Sequence, residues 1–381
     1  MNKNLLVSGV IAGLMLSWSN VQAIDTKARN MILMDYTTGA YLYEKDITQP
    51  IPPASMSKLM TVYMIFDKLR DGSLSLDDTF KVSENAWRKG GASSGGSTMF
   101  LAIGDEVKVE ELLKGIIIQS GNDACIVAAE NIAGDEDSFV KMMNAKAKEL
   151  GLKNSTFANA TGLPHPDHKM SVEDLAILAR RIIEEFPQFY YIFSQKEFAY
   201  NNIRQGNRNP LLYSMPYADG LKTGHTDEAG YCLTASAKKD DRRIIGVMTG
   251  LSSNKERSEE ADKMMSWAFR EYDNYTLAKK GDKLADIQVW YGTNKTVPLV
   301  VKEDVIKTLR KSEYNQAQVS IAYDQPVKAP IQMGQQLGVL KISIPNKDVE
   351  EIPLLAGQTI NKLSLQGKFL TNIRYLMSGK M

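Results

Sequence analysis

Near Lys279 the chain changes character, and the change divides it into two units of different build. Before that point helical and strand patterns alternate. Residues 28–34 and 40–43 read as short strands around the turn Thr37-Thr38-Gly39. Pro50, Pro52 and Pro53 then interrupt the chain, and Leu59, Val62, Phe66 and Leu69 recur at helical spacing over 56–69, so Ser55 falls at a helix N-terminus. Helical patterns return over 107–150, broken at Ser120-Gly121-Asn122, and over 171–186, where Pro187 stops them. Strands are expected at 220–226, 230–237 and 243–249, and a helix over 258–272 closes this half. Beyond Lys279 the runs are short, β-rich and punctuated by Gly, Pro and Asn: 287–291, 296–301, 319–323 and 339–344. A mixed α and β domain followed by a separate small all-β domain is the expected organisation.

The first 23 residues belong to neither domain. Lys3 precedes an uncharged apolar run from Leu5 to Trp18, and Val21-Gln22-Ala23 puts small residues where a signal peptidase reads. The run is shorter than the roughly 20 residues that span a bilayer. Residues 1–23 are therefore expected to be a cleaved signal peptide and the mature chain to be exported. Across 381 residues, 46 Lys+Arg meet 45 Asp+Glu, a balance that argues against a nucleic-acid partner, whose phosphates attract a basic excess. Two cysteines, Cys125 and Cys232, cannot build a disulfide framework or a four-thiolate zinc site and are expected as buried free thiols.

Ser55-Met56-Ser57-Lys58 is an S-x-x-K tetrad, weak by itself but placed at a helix start. At positions i and i+3 the Ser hydroxyl and Lys ammonium share one face. The helix N-terminus and burial both push the lysine pKa down, towards a usable general base for Ser55. Two further pieces follow in order: Ser120-Gly121-Asn122 at a break between helical segments, and Lys222-Thr223-Gly224 on an expected strand. Each tripeptide alone is close to noise, whereas the ordered set in these settings is a strong signal.

With those residues the sequence resembles the penicillin-recognising serine enzymes, and more narrowly the low-molecular-mass penicillin-binding proteins of the D-alanyl-D-alanine carboxypeptidase type. The likeness extends over Ser120-Gly121-Asn122-Asp123-Ala124-Cys125, Asp219-Gly220-Leu221-Lys222-Thr223-Gly224-His225-Thr226 and the trailing β-domain. It implies an α/β (α+β) transpeptidase/β-lactamase-like domain, an antiparallel sheet flanked by helices, over 24–274, and a C-terminal all-β sandwich over 275–360. The implied reaction removes the terminal D-alanine from peptidoglycan stem pentapeptides through a Ser55 acyl-enzyme, with β-lactams trapped at that stage and no cofactor or metal. Lys58 would act as base, Ser120 would pass a proton to the departing amine, and Asn122 would bind the peptide and position Lys58. Lys222 would keep the site electropositive, Thr223 would bind the terminal carboxylate, and the backbone N–H groups of Ser55 and His225 would form an oxyanion hole. Gly224, without a side chain, would let an extended peptide lie along its strand. Arg208 and Arg257 match arginines that the family places near the carboxylate end of the site.

Alternatives stay open at this level: a D,D-endopeptidase of cross-linked peptidoglycan, or a catalytically silent wall-binding scaffold. A class A β-lactamase is disfavoured because Ser171-Val172-Glu173-Asp174-Leu175-Ala176 lacks the Glu-x-x-Leu-Asn pattern of a deacylating loop. Glu185, in Glu184-Glu185-Phe186-Pro187, departs from the acidic family pattern there. The glycine-rich run 90–97 lacks a P-loop ending and reads as a mobile surface loop, and His165-Pro166-Asp167-His168 reads as a solvated loop rather than a metal site. In the tail, Phe369, Leu370, Ile373, Leu376 and Met377 repeat at helical spacing, and residues 361–381 hold four Lys/Arg and no acid. That suits an amphipathic basic helix on the outer face of the plasma membrane, facing the periplasm.

Overall fold

A computed structural model describes residues 24–378, so the expected signal peptide lies outside the described residues. The described chain forms two compact units that divide at Arg270 and Glu271. In the first, five strands form one antiparallel sheet: β1 (Asn30–Asp35), β2 (Tyr41–Lys45), β3 (Ala218–Thr226), β4 (Gly230–Lys239) and β5 (Arg242–Leu251), in the order β2-β1-β5-β4-β3. The register brings Met31 opposite Met248, Leu233 opposite the same residue on the other side, and Thr223 opposite Leu233. β3 is thus an edge strand, with one row of backbone groups free of the sheet.

Four helices matter for the site: α1 (Lys58–Arg70), α2 (Asn122–Ala133), α3 (Val172–Glu185) and α4 (Asn254–Glu271). In α1 every residue from Lys58 to Phe66 is buried. A helix covered on all sides runs through the core rather than along its surface. Each fully buried Leu, Ile, Met or Phe of that stretch contributes on the order of 2 kcal/mol. α3 is amphipathic instead; Ser171 caps it by accepting from the Asp174 N–H at 3.1 Å, and the chain leaves the helix at Phe186, just before Pro187. The expected helical block at 107–150 breaks through a π-helical turn at Gly115–Gln119 and a left-handed Ser120 (φ 68°).

The second unit begins with a strand, β6 (Tyr272–Ala278), which pairs with β9 (Val305–Arg310) and therefore belongs wholly to this unit. The other strands, β7 (Lys283–Trp290), β8 (Thr296–Val300), β10 (Gln318–Tyr323), β11 (Val327–Lys328), β12 (Gln336–Ser343) and β13 (Glu350–Ala356), make a six-stranded sheet in the order β10-β12-β13-β8-β7-β11. Ile287, Val297, Leu299, Leu340, Ile342, Leu354 and Ile360 fill its core. The tail forms α5 (Leu365–Ser378), which touches this unit through Tyr375 against Trp290 and through the Tyr291 hydroxyl donating to Asn372 Oδ1 at 2.8 Å. Leu365, Phe369, Leu370, Leu376 and Met377 are each at least 64% exposed, so its apolar face is unpartnered by the protein. No helix among the described residues is long and apolar enough to cross a membrane.

Candidate active site

Three consecutive interruptions set up the nucleophile. Proline at 50, 52 and 53 prevents an earlier helix start, and residues Ala54–Ser57 form a 3₁₀ turn leading into α1. Ser55 therefore precedes the α-helix rather than opening it. In a 3₁₀ turn residues i and i+3 eclipse, which aligns Ser55 with Lys58 more closely than an α-helix would. Lys58 Nζ stands 2.9 Å from Ser55 Oγ and 2.8 Å from Asn122 Oδ1, and donates to the Thr161 carbonyl.

Lys58 is completely buried, and burial pulls its pKa down to about 8; Arg208 adds to the fall, while Cys125 and Asp123 oppose it. Two of its nitrogen positions are held by Asn122 and Thr161. The third faces Ser55, so a neutral amine would aim its lone pair at the hydroxyl proton. Lys222 is also buried, donates to the Thr223 carbonyl at 3.2 Å, and is held well below the usual lysine range by burial first and then by Lys58 and Arg208. Ser120 Oγ is buried and without a hydrogen-bond partner among the described residues, in a residue that lines the cleft.

These side chains border or underlie a cleft of about 690 Å³ lined by Ser55, Ser97, Ser120, Arg208, Thr223, Gly224, His225, Tyr231 and Arg257, among others. No Asp or Glu is among its lining residues. Arg208 donates to Ser97 Oγ at 2.6 Å. Arg257 is buried, packs over the Tyr231 ring at 5.7 Å and donates to Asn254 Oδ1 at 2.5 Å, with burial lowering its pKa to about 10. The His225 ring lies on Tyr231 with centroids 4.0 Å apart. Two guanidinium groups and a hydroxyl with no carboxylate among the lining residues give the cleft the chemistry that suits a carboxylate ligand.

The structure places all ten sequence-predicted residues in or directly beneath this cleft. A Cβ on Gly224 would lie 3.1 Å from both Ala54 Cβ and the Pro53 carbonyl, so the absent side chain also makes room for the Ser55 turn. Two readings change. The run 90–97 is no detached surface loop: the Asn122 N–H donates to the Ser97 carbonyl at 2.8 Å, and Gly95, Gly96 and Ser97 form one wall of the cleft. His168 is also not solvated. It is buried against Phe157, its Nδ1 accepts from the Ala158 N–H at 3.1 Å, and burial lowers its pKa to about 4.

Two contributors escaped the sequence reading. Asp123, buried at the start of α2, accepts from Thr98 Oγ1 at 2.7 Å, the Met99 N–H at 2.9 Å and the Leu101 N–H at 3.2 Å, pinning the strip that carries Ser97. Thr161 offers only a backbone carbonyl, in a turn that Asn159 Oδ1 builds by accepting from the N–H groups of Thr161 and Gly162. Its neighbour Asn159 carried a turn signal, but nothing in the sequence marks a carbonyl as a lysine partner. Cys125 and Cys232 are both free and buried.

Comparison with known proteins gives the family and the fold. A family model described as D-alanyl-D-alanine carboxypeptidase matches residues 18–253, and one described as the C-terminal domain of penicillin-binding protein 5 matches 272–362. The chain is 38% identical to the D-alanyl-D-alanine carboxypeptidase DacC of Escherichia coli strain K12, over 91% of this chain and 88% of that protein. It is 39% identical to DacF of Bacillus subtilis strain 168, over 88% and 86%. The crystal structure of penicillin binding protein 5 from Haemophilus influenzae superposes with a TM-score of 0.79 at 33% identity, covering 90% of this chain and 100% of the other.

Proposed function

The chain belongs to the D-alanyl-D-alanine carboxypeptidase family, and from that membership we propose how its own residues divide the reaction. It is a serine-type D-alanyl-D-alanine carboxypeptidase that acts on peptidoglycan and binds β-lactams. Neutral Lys58 takes the Ser55 proton as Oγ attacks the carbonyl of the penultimate D-alanine, and the backbone N–H groups of Ser55 and His225 receive the developing oxyanion. Ser120, whose hydroxyl is otherwise unpartnered, hands a proton to the departing D-alanine amine. Arg208, Arg257 and Thr223 bind the terminal carboxylate of the stem peptide, and Asn122 holds Lys58 while Lys222 maintains the positive field. Water then releases the acyl-enzyme, whereas a β-lactam stays attached.

One observation carries this reading: Lys58 Nζ reaches Ser55 at 2.9 Å with its remaining positions fixed on Asn122 and Thr161. Incubation with labelled penicillin should place one label on Ser55, and monomeric pentapeptide should lose its terminal D-alanine. Release of D-alanine by Ser55→Ala would overturn the scheme. Cross-linked muropeptides in a parallel incubation separate carboxypeptidase from endopeptidase action.

The setting proposed is the periplasm, on the outer face of the plasma membrane. Residues 1–23 would direct export. The exposed apolar side chains of α5, with Lys362, Lys368 and Arg374 and no Asp or Glu in the sequence 361–381, favour an anionic bilayer surface. Chain truncated after Gln366 should no longer sediment with anionic vesicles; continued sedimentation would remove the anchor.

A further inference from the structure

Towards the other end of the sheet from Ser55, a groove of about 340 Å³ lies between the β1–β2 hairpin and α3. Its place follows from register: Met34 faces Ile245, and Ile245 faces Ser236, which pairs with Gly220, while the cleft residues Thr223 to His225 pair with Leu233 to Tyr231. β1 and β3 are three strand spacings apart, about 14 Å. The groove is therefore separate from the catalytic cleft, and the proposed reaction uses none of its residues.

Its floor is an unusual cation. Arg180 is half-buried, its Nε is shielded from solvent, and that Nε has no hydrogen-bond partner among the described residues. The guanidinium lies over the Tyr36 ring at 5.8 Å and packs on Gly39, where a Cβ would stand 2.9 Å from Nη1. Gly39, in a left-handed conformation (φ 72°), leaves the space beside the guanidinium open. Neighbouring cations are neutralised differently. Arg181 pairs with Glu185 at 3.6 Å, and Arg243, the second guanidinium over Tyr36, pairs with Asp219 at 2.7 Å. Arg180 forms no such pair among the described residues, although Glu184 follows it by four residues on the same helix and lines the same groove. With Nε shielded, what an anion in the groove meets is the terminal nitrogens, for which the described residues supply no ion pair.

We propose that this groove binds a free amino-acid centre, with its carboxylate on Arg180, its ammonium on Glu184 and its aliphatic part against Met34 and Ile177. Arginine prefers a planar carboxylate. Arg181 also lines the groove but is paired with Glu185, so the lining charges without an ion pair among the described residues are one cation, Arg180, and one anion, Glu184, which favours a zwitterion over a simple anion. Two sources offer that chemistry: D-alanine released by the reaction, or the free zwitterionic end of a diamino acid carried by wall peptides. The site therefore reads either product or wall, and stands whether or not the proposed division of catalytic roles holds.

The test uses the mature chain first acylated with benzylpenicillin, its occupancy checked by mass, so that amino acids cannot enter the cleft. D-alanine, meso-diaminopimelate and N-acetyl-D-alanine are then titrated by calorimetry into wild type, Arg180→Gln and the surface variant Glu184→Gln. Saturable binding of D-alanine or of meso-diaminopimelate at one site is expected, weakened at least tenfold in both variants, with N-acetyl-D-alanine at least tenfold weaker than D-alanine on wild type if D-alanine is the ligand. Preference for D-alanine identifies a product site, and preference for meso-diaminopimelate a wall-peptide site. Absence of binding by both amino acids, or equal affinity in Glu184→Gln, overturns the proposal. Carboxypeptidase turnover without added amino acid should be unchanged in Glu184→Gln, which also controls for folding should Arg180→Gln be unstable.

Discussion

Arg208 and Ser97 bridge the catalytic cleft: the guanidinium donates to Ser97 Oγ at 2.6 Å, joining the wall built by residues 95–97 to the loop that precedes β3. The bond makes Ser97 a support for the arginine proposed to receive the substrate carboxylate. Arg208→Ala should lower kcat/KM on pentapeptide by about 10- to 100-fold, the worth of a charge-assisted hydrogen bond. Ser97→Ala should raise KM several-fold with kcat nearly unchanged. An equal loss in both variants on a substrate amidated at its C-terminus would contradict this division.

Lys58 sets the pH dependence of acylation. With a pKa lowered to about 8 by burial, its neutral fraction rises tenfold per pH unit below that value and levels above it. The acylation rate constant with a β-lactam should follow the same curve. Lys58→Arg, which cannot become neutral, should slow acylation by about 10²- to 10⁴-fold at every pH.

Asp123→Ala strands the Thr98 hydroxyl and the N–H groups of Met99 and Leu101 inside the protein. A loss of about 3 kcal/mol in denaturant stability is expected, since each unsatisfied buried donor costs about 1–3 kcal/mol and relaxation recovers part of it. Weaker penicillin acylation should accompany it, because Ser97 and Asn122 lose their shared anchor.

At Gly224 an added methyl meets the Pro53 carbonyl and Ala54 Cβ at 3.1 Å, so Gly224→Ala should displace the turn that carries Ser55. Misplacement by a fraction of an ångström to one ångström predicts a fall of about 10- to 100-fold in acylation with only a small change in melting temperature. Unaltered acylation would show that the turn accommodates the methyl.

His168 makes the fold acid-sensitive. Burial lowers its pKa from 6.5 to about 4, so the unfolded chain binds more protons than the folded one between those values. Stability is full above pH 6.5 and is lost as pH falls through that window, by about 3 kcal/mol once pH reaches the folded value. His168→Gln, which keeps an acceptor for the Ala158 N–H, should flatten the midpoint-versus-pH curve between pH 6.5 and 4.

What was legible in the sequence was whatever depends on local pattern or on side-chain chemistry. Strands β3 to β5, the α3 cap at Ser171 and the ordered tetrad and tripeptides all declare themselves through periodicity, turn residues and reactive side chains. What stayed hidden depends on the tertiary meeting of distant segments. The Thr161 carbonyl joins the site only because a turn 103 residues after Lys58 folds beneath it. Ser97 sits in a glycine-rich run whose composition says loop, and only Asp123 and Asn122 reveal which wall that loop forms. His168 carries the same pattern as a solvated histidine; packing against Phe157 decides otherwise.

The immersion of α1 in the core ties chemistry to survival. Because Lys58 through Phe66 have no solvent-facing side, the turn bearing Ser55 cannot loosen by fraying; it opens only when the domain does. Resistance to a β-lactam by loosening the helix behind the nucleophile is thereby closed off, since a variant that opened α1 would forfeit the folded enzyme as well. Adaptation to new acylating drugs is left to the rim, where residues 95–97, Arg208 and Tyr213 can change without disturbing the helix beneath.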